Sequence, residues 1–174
     1  LIKEDGTILG SLGDNLLNNL VLEHIKSIRE EEPGVVFIRD TEIYLEPIIP
    51  TPVLYIFGGG HISLPLVRMG KMVGFRIVVV DDRELYANKN RFPEVDEVYA
   101  LDFETFFEKF KLPPFAYVII VTRGHQYDEL VLEKALKTEA AYIGMIGSKR
   151  KVKFTYDNLL ARGTITQDAL ARVH

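Results

Sequence analysis

Apolar residues in this chain fall into runs of two kinds. Val53-Leu54-Tyr55-Ile56-Phe57, Phe75 to Val80 and Ala116 to Thr122 are short and nearly continuous, with little polar alternation. Strands of that kind are buried on both faces, as in a parallel sheet covered by helices. Val98 to Leu101 and Ala141 to Ile146 read as two further strands. Between them lie segments with helical spacing: Ile62 to Val73, a stretch opened by Asp102 or Thr105, Tyr127 to Lys137, and Ser148 to Ala161 with Gly163 as its stop. Thr166 to Arg172 adds a short helical turn. The stripe Phe103, Phe106, Phe107 and Phe110 is read as core packing rather than as a cofactor surface. Strand and helix alternate, so the expectation is an α/β, Rossmann-like, doubly wound parallel sheet of order 3-2-1-4-5.

The first 50 residues read differently. Asp14 can cap a helix to about Glu32, with Leu16, Leu17, Leu20, Val21, Ile25 and Ile28 on one side, and Pro33-Gly34 stops it. Val35–Ile38 and Ile43–Leu45 follow as strands, with Arg39-Asp40-Thr41-Glu42 as the turn. Pro47, Pro50 and Pro52 mark a stiff linker. Residues 1–50 are therefore expected to be a small α+β appendage, and 51–174 a nucleotide- or cofactor-binding domain.

The strand at Val53 runs into Gly58-Gly59-Gly60-His61, and Gly58, Gly60 and Ser63 make G-x-G-x-x-S, a variant of the dinucleotide fingerprint. Gly58 is expected to permit the tight turn, Gly60 the close approach of a phosphate, and Ser63 close packing of the next helix on the sheet. The next strand ends in Asp81-Asp82-Arg83, near the spacing of an acid that binds a ribose diol. Arg83 could offset a preference of Asp81 against a 2′-phosphate. In this topology the loops Gly58–His61, Thr122-Arg123-Gly124-His125 and Gly147-Ser148-Lys149-Arg150 all leave carboxyl ends of strands and converge on one edge. Backbone amides, Arg123, Ser148, Lys149 and Arg150 suit a phosphorylated ligand. His61 and His125, placed in loops, could contact it or hold their own loops. A metal pair completed by Asp128 has no supporting ligand spacing, and no catalytic set follows from the residues alone.

Composition narrows the classes. The chain has 174 residues and a formal net charge of −4, against a general nucleic-acid binder. Residues 1–52 hold ten acids and four basic groups, and residues 147–174 six basic groups and two acids. The Lys149-Arg150-Lys151-Lys153 cluster suits a local anion, with a solvated helix face an equal reading for Lys151 and Lys153. No apolar run has the ~20 residues of a membrane helix. Cysteine is absent, which excludes disulfides, thiolate metal sites and cysteine catalysis in these residues, and the cytoplasm is the default location.

Phe57-Gly58-Gly59-Gly60-His61, Gly74-Phe75 to Val80-Asp81-Asp82-Arg83, Arg91-Phe92-Pro93, Thr122-Arg123-Gly124-His125 with Asp128, and Tyr142-Ile143-Gly144-Met145-Ile146-Gly147-Ser148-Lys149-Arg150-Lys151 together resemble the XdhC family. Its members are accessory factors of xanthine dehydrogenase and related molybdenum hydroxylases, and the match runs from about Glu46 to His174. The resemblance implies binding of molybdenum cofactor (molybdopterin) and support for its sulfuration and insertion. Implied partners are a molybdenum hydroxylase apoenzyme and a sulfur-donating desulfurase, with a homodimer left open. Family members usually carry a fuller N-terminal domain with a glycine-rich segment that often includes cysteine. Here Gly10-Ser11-Leu12-Gly13-Asp14 stands near that place. An NAD(P)-dependent oxidoreductase, or a nucleotide-sensing module, is the alternative.

Overall fold

The computed structural model describes residues 1–3, 5–27 and 33–174. The chain divides into two compact units, Leu1–Ile49 and Pro50–His174.

The first unit pairs a helix with a hairpin. Helix α1 spans Asn15–Ser27, and strands β1 (Gly34–Ile38) and β2 (Thr41–Leu45) are antiparallel. The hairpin turn is shorter than the four residues expected. Ile38 pairs with Thr41, so only Arg39 and Asp40 lie between, and Arg39 takes a left-handed φ of 56°. Two-residue hairpin turns need positive φ because it matches the strand twist. Val21, Ile38 and Ile43 form the buried cluster, with Leu17, Leu20 and Ile25 against it, whereas Leu16 is exposed. The expected continuation of the helix from Ile28 to Glu32 lies outside the described residues.

The second unit is one parallel sheet. Its strands are β3 (Val53–Phe57), β4 (Arg76–Asp81), β5 (Glu97–Ala100), β6 (Ala116–Ile120) and β7 (Tyr142–Met145). The order is β5-β4-β3-β6-β7, which is 3-2-1-4-5 when the parallel strands are counted alone. Helix α2 (Ser63–Met72) links β3 to β4, α3 (Phe103–Lys109) links β5 to β6, and α4 (His125–Leu136) links β6 to β7. Helices α5 (Lys149–Ala161) and α6 (Gln167–Leu170) follow.

The two faces of the sheet are filled unequally. On one, Phe57, Val80, Val118 and Ile120 pack with Phe103 and Phe106 of α3, Leu132 of α4 and Leu159 of α5. The phenylalanine stripe is core: Phe57 meets Phe103 and Phe106 edge-on and stacks on Phe107. On the other face Leu54, Ile56, Ile77 and Val79 pack with Val67 of α2 and with Phe92 and Val95. Gly70 lets α2 lie down there, since a Cβ would press on Ile77 and Leu54. The last residues extend the sheet. Val173 bridges Ile143 in parallel, His174 N–H donates to the Ile143 carbonyl at 2.9 Å, and Met145 N–H donates to the His174 carbonyl at 3.0 Å.

Candidate functional site

All three loops singled out in the sequence leave the carboxyl ends of β3, β6 and β7, which are adjacent and parallel. The loops also touch. Gly58 has φ +113°, and a Cβ on it would overlap the Val121 carbonyl, so only glycine fits. Its N–H donates to the Val80 carbonyl at 2.7 Å, and its own carbonyl accepts from the wholly buried Ser63 hydroxyl. Ser63 thus locks α2 to the turn.

Gly59 and Gly60 exchange the roles the fingerprint suggests. A Cβ on Gly59 would run into the Tyr86 carbonyl, whereas around Gly60 the space is open. The close approach at the second position is made by the chain's own Tyr86 backbone. The Gly59 N–H is also used internally: it donates to Asp81 Oδ2 at 2.8 Å. Asp81 is 2% exposed and receives three more hydrogen bonds, all from Arg83: backbone N–H (3.0 Å) and Nε (2.8 Å) to Oδ1, and Nη2 (3.0 Å) to Oδ2. Burial by itself would raise its carboxyl, but the Arg83 and Gly59 hydrogen bonds outweigh burial and hold it below the usual carboxylate range. The acid expected to take a ribose diol therefore has both oxygens committed. Arg83 lies 3.7 Å over the Tyr86 ring, and Arg91 Nε donates to the Gly59 carbonyl at 2.9 Å. Tyr86 and Arg91 belong to this clamp. Sequence reasoning missed Tyr86, because an aromatic in an irregular segment carries no spacing signal.

Across the rim, Arg123 Nη2 donates to Asp82 Oδ2 at 2.7 Å and to the Tyr127 hydroxyl at 2.9 Å, tying the loop after β6 to the end of β4. His125 is not in a loop: it is the first residue of α4, with extended Gly124 as the N-cap. The helix starts two residues before Tyr127, with His125 and Gln126 exposed in its first turn. Asp128, wholly buried, accepts from Thr122 Oγ1 at 2.6 Å and is ion-paired with Lys151 Nζ. That pairing joins α4 to α5 and takes Asp128 out of the conceivable metal pair. It also separates Lys151, one-fifth exposed, from Lys153, whose partner is exposed Asp157 one turn on.

The N–H groups of Gly60 and His61 find no acceptor among the described residues. His61, Arg123, His125, Gly147, Ser148, Lys149 and Arg150 are exposed. Ser148 caps α5, its Oγ accepting from Lys151 N–H at 3.2 Å. Beside this end of the rim, a cavity of about 380 Å³ is walled by Val152, Tyr156, Leu160 and Leu170, with Gly147 and Lys149 also lining it. A cavity of about 590 Å³ lies in the first unit, among aliphatic side chains such as Ile2, Val21 and Ile43.

Fold and rim together define a Rossmann-type domain whose glycine turn is clamped by its own acid, with exposed Lys149 and Arg150 on the loop after β7. The profile of the XdhC Rossmann domain matches residues 54–174, and the chain belongs to that family. It is 27% identical over 117 residues to a probable xanthine dehydrogenase subunit of Bacillus subtilis, covering 67% of this chain and 36% of that protein. It is 24% identical to the uncharacterized protein YqeB of Escherichia coli over 191 aligned positions, 100% of this chain and 35% of YqeB. Among solved structures it resembles a xanthine dehydrogenase from Bacillus halodurans with a TM-score of 0.60 and 37% identity, over 63% of this chain and 32% of that one. The chain thus spans about a third of the length of these relatives. Among the described residues no helix is long and apolar enough to cross a membrane.

Proposed function

We propose that this chain is an accessory factor for a molybdenum hydroxylase of the xanthine dehydrogenase type. It holds molybdenum cofactor, or a related phosphorylated ligand, as cargo and supports its sulfuration and insertion. The observation that carries this reading is the division of the rim. Its Gly59–Asp81 pair is filled by the chain itself, while the next two amides of the glycine turn, Gly60 and His61, are unassigned and exposed cations stand on the loops after β6 and β7. Lys149 and Gly147 adjoin a cavity in which Val152, Tyr156, Leu160 and Leu170 offer apolar and aromatic surface and Lys153, Asp157 and Gln167 offer polar groups, a mixture that suits a planar heterocycle bearing a phosphate. Arg and Lys beside free amides would hold the phosphate. A separate sulfur donor such as a desulfurase belongs to this reading, and it accords with the absence of a thiol from these 174 residues. NAD(P) binding gains no support, since Asp81 and the Gly59 N–H are already paired with one another.

The test is to produce the protein alongside the molybdopterin-synthesising machinery, purify it, and measure released pterin fluorescence. The wild type should carry pterin. Gly60→Asp should lose it while remaining folded, because the open space at Gly60 accommodates the side chain but its carboxylate repels a phosphate. Unchanged pterin in that variant would remove the rim as the site.

A further inference from the structure

Arg76, Arg83, Arg123 and Arg162 each meet a carboxylate. Arg91 meets none among the described residues, although it is half-buried and water screens it poorly. Its Nη2 is sealed from solvent and has no acceptor among those residues. The guanidinium carbon lies 5.3 Å from the Tyr86 ring centre and 5.6 Å from that of Phe92. The backbone beneath is anchored, since Arg91 N–H donates to Asn88 Oδ1 at 2.9 Å and Phe92 is buried in the core. A fixed positive charge therefore stands beside the glycine turn without a neutralising partner.

The one oxygen that Arg91 does meet is the Gly59 carbonyl, which accepts from Nε at 2.9 Å. That carbonyl and the Gly60 N–H are the two ends of a single trans peptide, so they point opposite ways. With the carbonyl turned to Arg91, the Gly60 N–H faces away from it, unassigned, at a residue with open space around it. A peptide between two glycines can turn over at little steric cost. Turned over, it would present its carbonyl on that side, and a carbonyl repels an anion. The preceding peptide is also held, because the Gly59 N–H donates to Asp81 Oδ2 at 2.8 Å. Asp81 and Arg91 thus fix the peptides on both sides of Gly59.

We propose that Arg91 is a positioning residue for phosphate at the rim: it holds the 59–60 peptide with its N–H outward, so that Gly60 can donate to the ligand. The proposal rests on the reading of the rim as a phosphate site and adds the residue that makes the glycine turn receptive. Arg91 does not touch the ligand, because its spare nitrogen is sealed in. It acts through the amide. A charge-assisted hydrogen bond on the carbonyl polarises the N–H at the other end of the same peptide and strengthens it as a donor. Asp81 does not cancel the charge of Arg91, since both its oxygens are committed to Gly59 and Arg83.

The test is titration of the full chain with inorganic phosphate at constant ionic strength, followed by the amide resonances of Gly60 and His61, with circular dichroism to confirm folding. In the wild type both resonances should shift and saturate. Arg91→Gln puts an uncharged N–H donor at the chain position of Nε, and Arg91→Met puts a methyl group there. Arg91→Met should bind at least about tenfold more weakly, and its Gly60 amide should gain microsecond-to-millisecond exchange as the peptide turns over. Arg91→Gln should bind at least about threefold more tightly than Arg91→Met, without that exchange. Arg68→Met removes an equal charge from the exposed surface of α2 and should bind like wild type. Binding by Arg91→Met within about threefold of wild type overturns the proposal, as does equal binding by the Gln and Met variants. If Arg91→Met does not fold, Arg91→Gln decides alone: a Gly60 resonance that no longer answers phosphate overturns the proposal. Wild-type resonances that ignore phosphate overturn the rim reading itself, and the role of Arg91 with it.

Discussion

An alanine at Gly59 would drive a methyl group into the Tyr86 carbonyl, and backbone cannot swing aside as a side chain can. An alanine at Gly60 meets nothing. Gly59→Ala should therefore lose about 1–3 kcal/mol of stability, and Gly60→Ala should stay within about 0.5 kcal/mol of wild type. Urea unfolding with an unchanged slope measures both. The order of sensitivity is the reverse of what the G-x-G-x-x-S spacing suggests. The glycine run and Asp81 were visible in the sequence, but not that they were bonded to each other. That depends on Arg83 folding back onto Asp81 and on where the irregular chain at Tyr86 lies, and neither leaves a periodic trace. Gly58 and Ser63 were legible because their roles are local, a turn and the first residue of a helix.

Between elements, the tie of greatest consequence is Lys151 with Asp128. Lys151→Met would leave a wholly buried carboxylate with Thr122 alone, and should cost about 3–5 kcal/mol in urea unfolding. Lys153→Met, two positions away, breaks only an exposed pair with Asp157 and should cost less than about 0.5 kcal/mol. Ser148→Ala removes the cap of α5 and should cost about 1 kcal/mol. In the sequence these two lysines looked alike, as members of one basic cluster. They differ because α5 packs against α4 along the side that carries Lys151. The cap at Ser148 and the phenylalanine stripe of α3 could be read directly, since each follows from spacing along a single helix.

For the whole molecule, order and direction of the parallel strands followed from alternating apolar runs and right-handed crossovers. The unequal burial of the two faces of β6 and β7 could not be read that way. A strand sequence shows that both faces are apolar but not which neighbours cover them, and Tyr117, Ile119 and Tyr142 look as core-like as Val118 and Ile143. The short turn at Arg39 was missed for a related reason: no glycine or asparagine marked its left-handed residue.

The segment that closes on β7 carries a further consequence. Val173 and His174 occupy the outer hydrogen-bonding side of that strand. Removing the two residues would bare a row of unsatisfied amides and carbonyls beside Tyr142, a template onto which another molecule's strand can add. A version shortened at Arg172 should turn cloudy and gain thioflavin fluorescence when concentrated, under conditions in which the 174-residue chain stays clear.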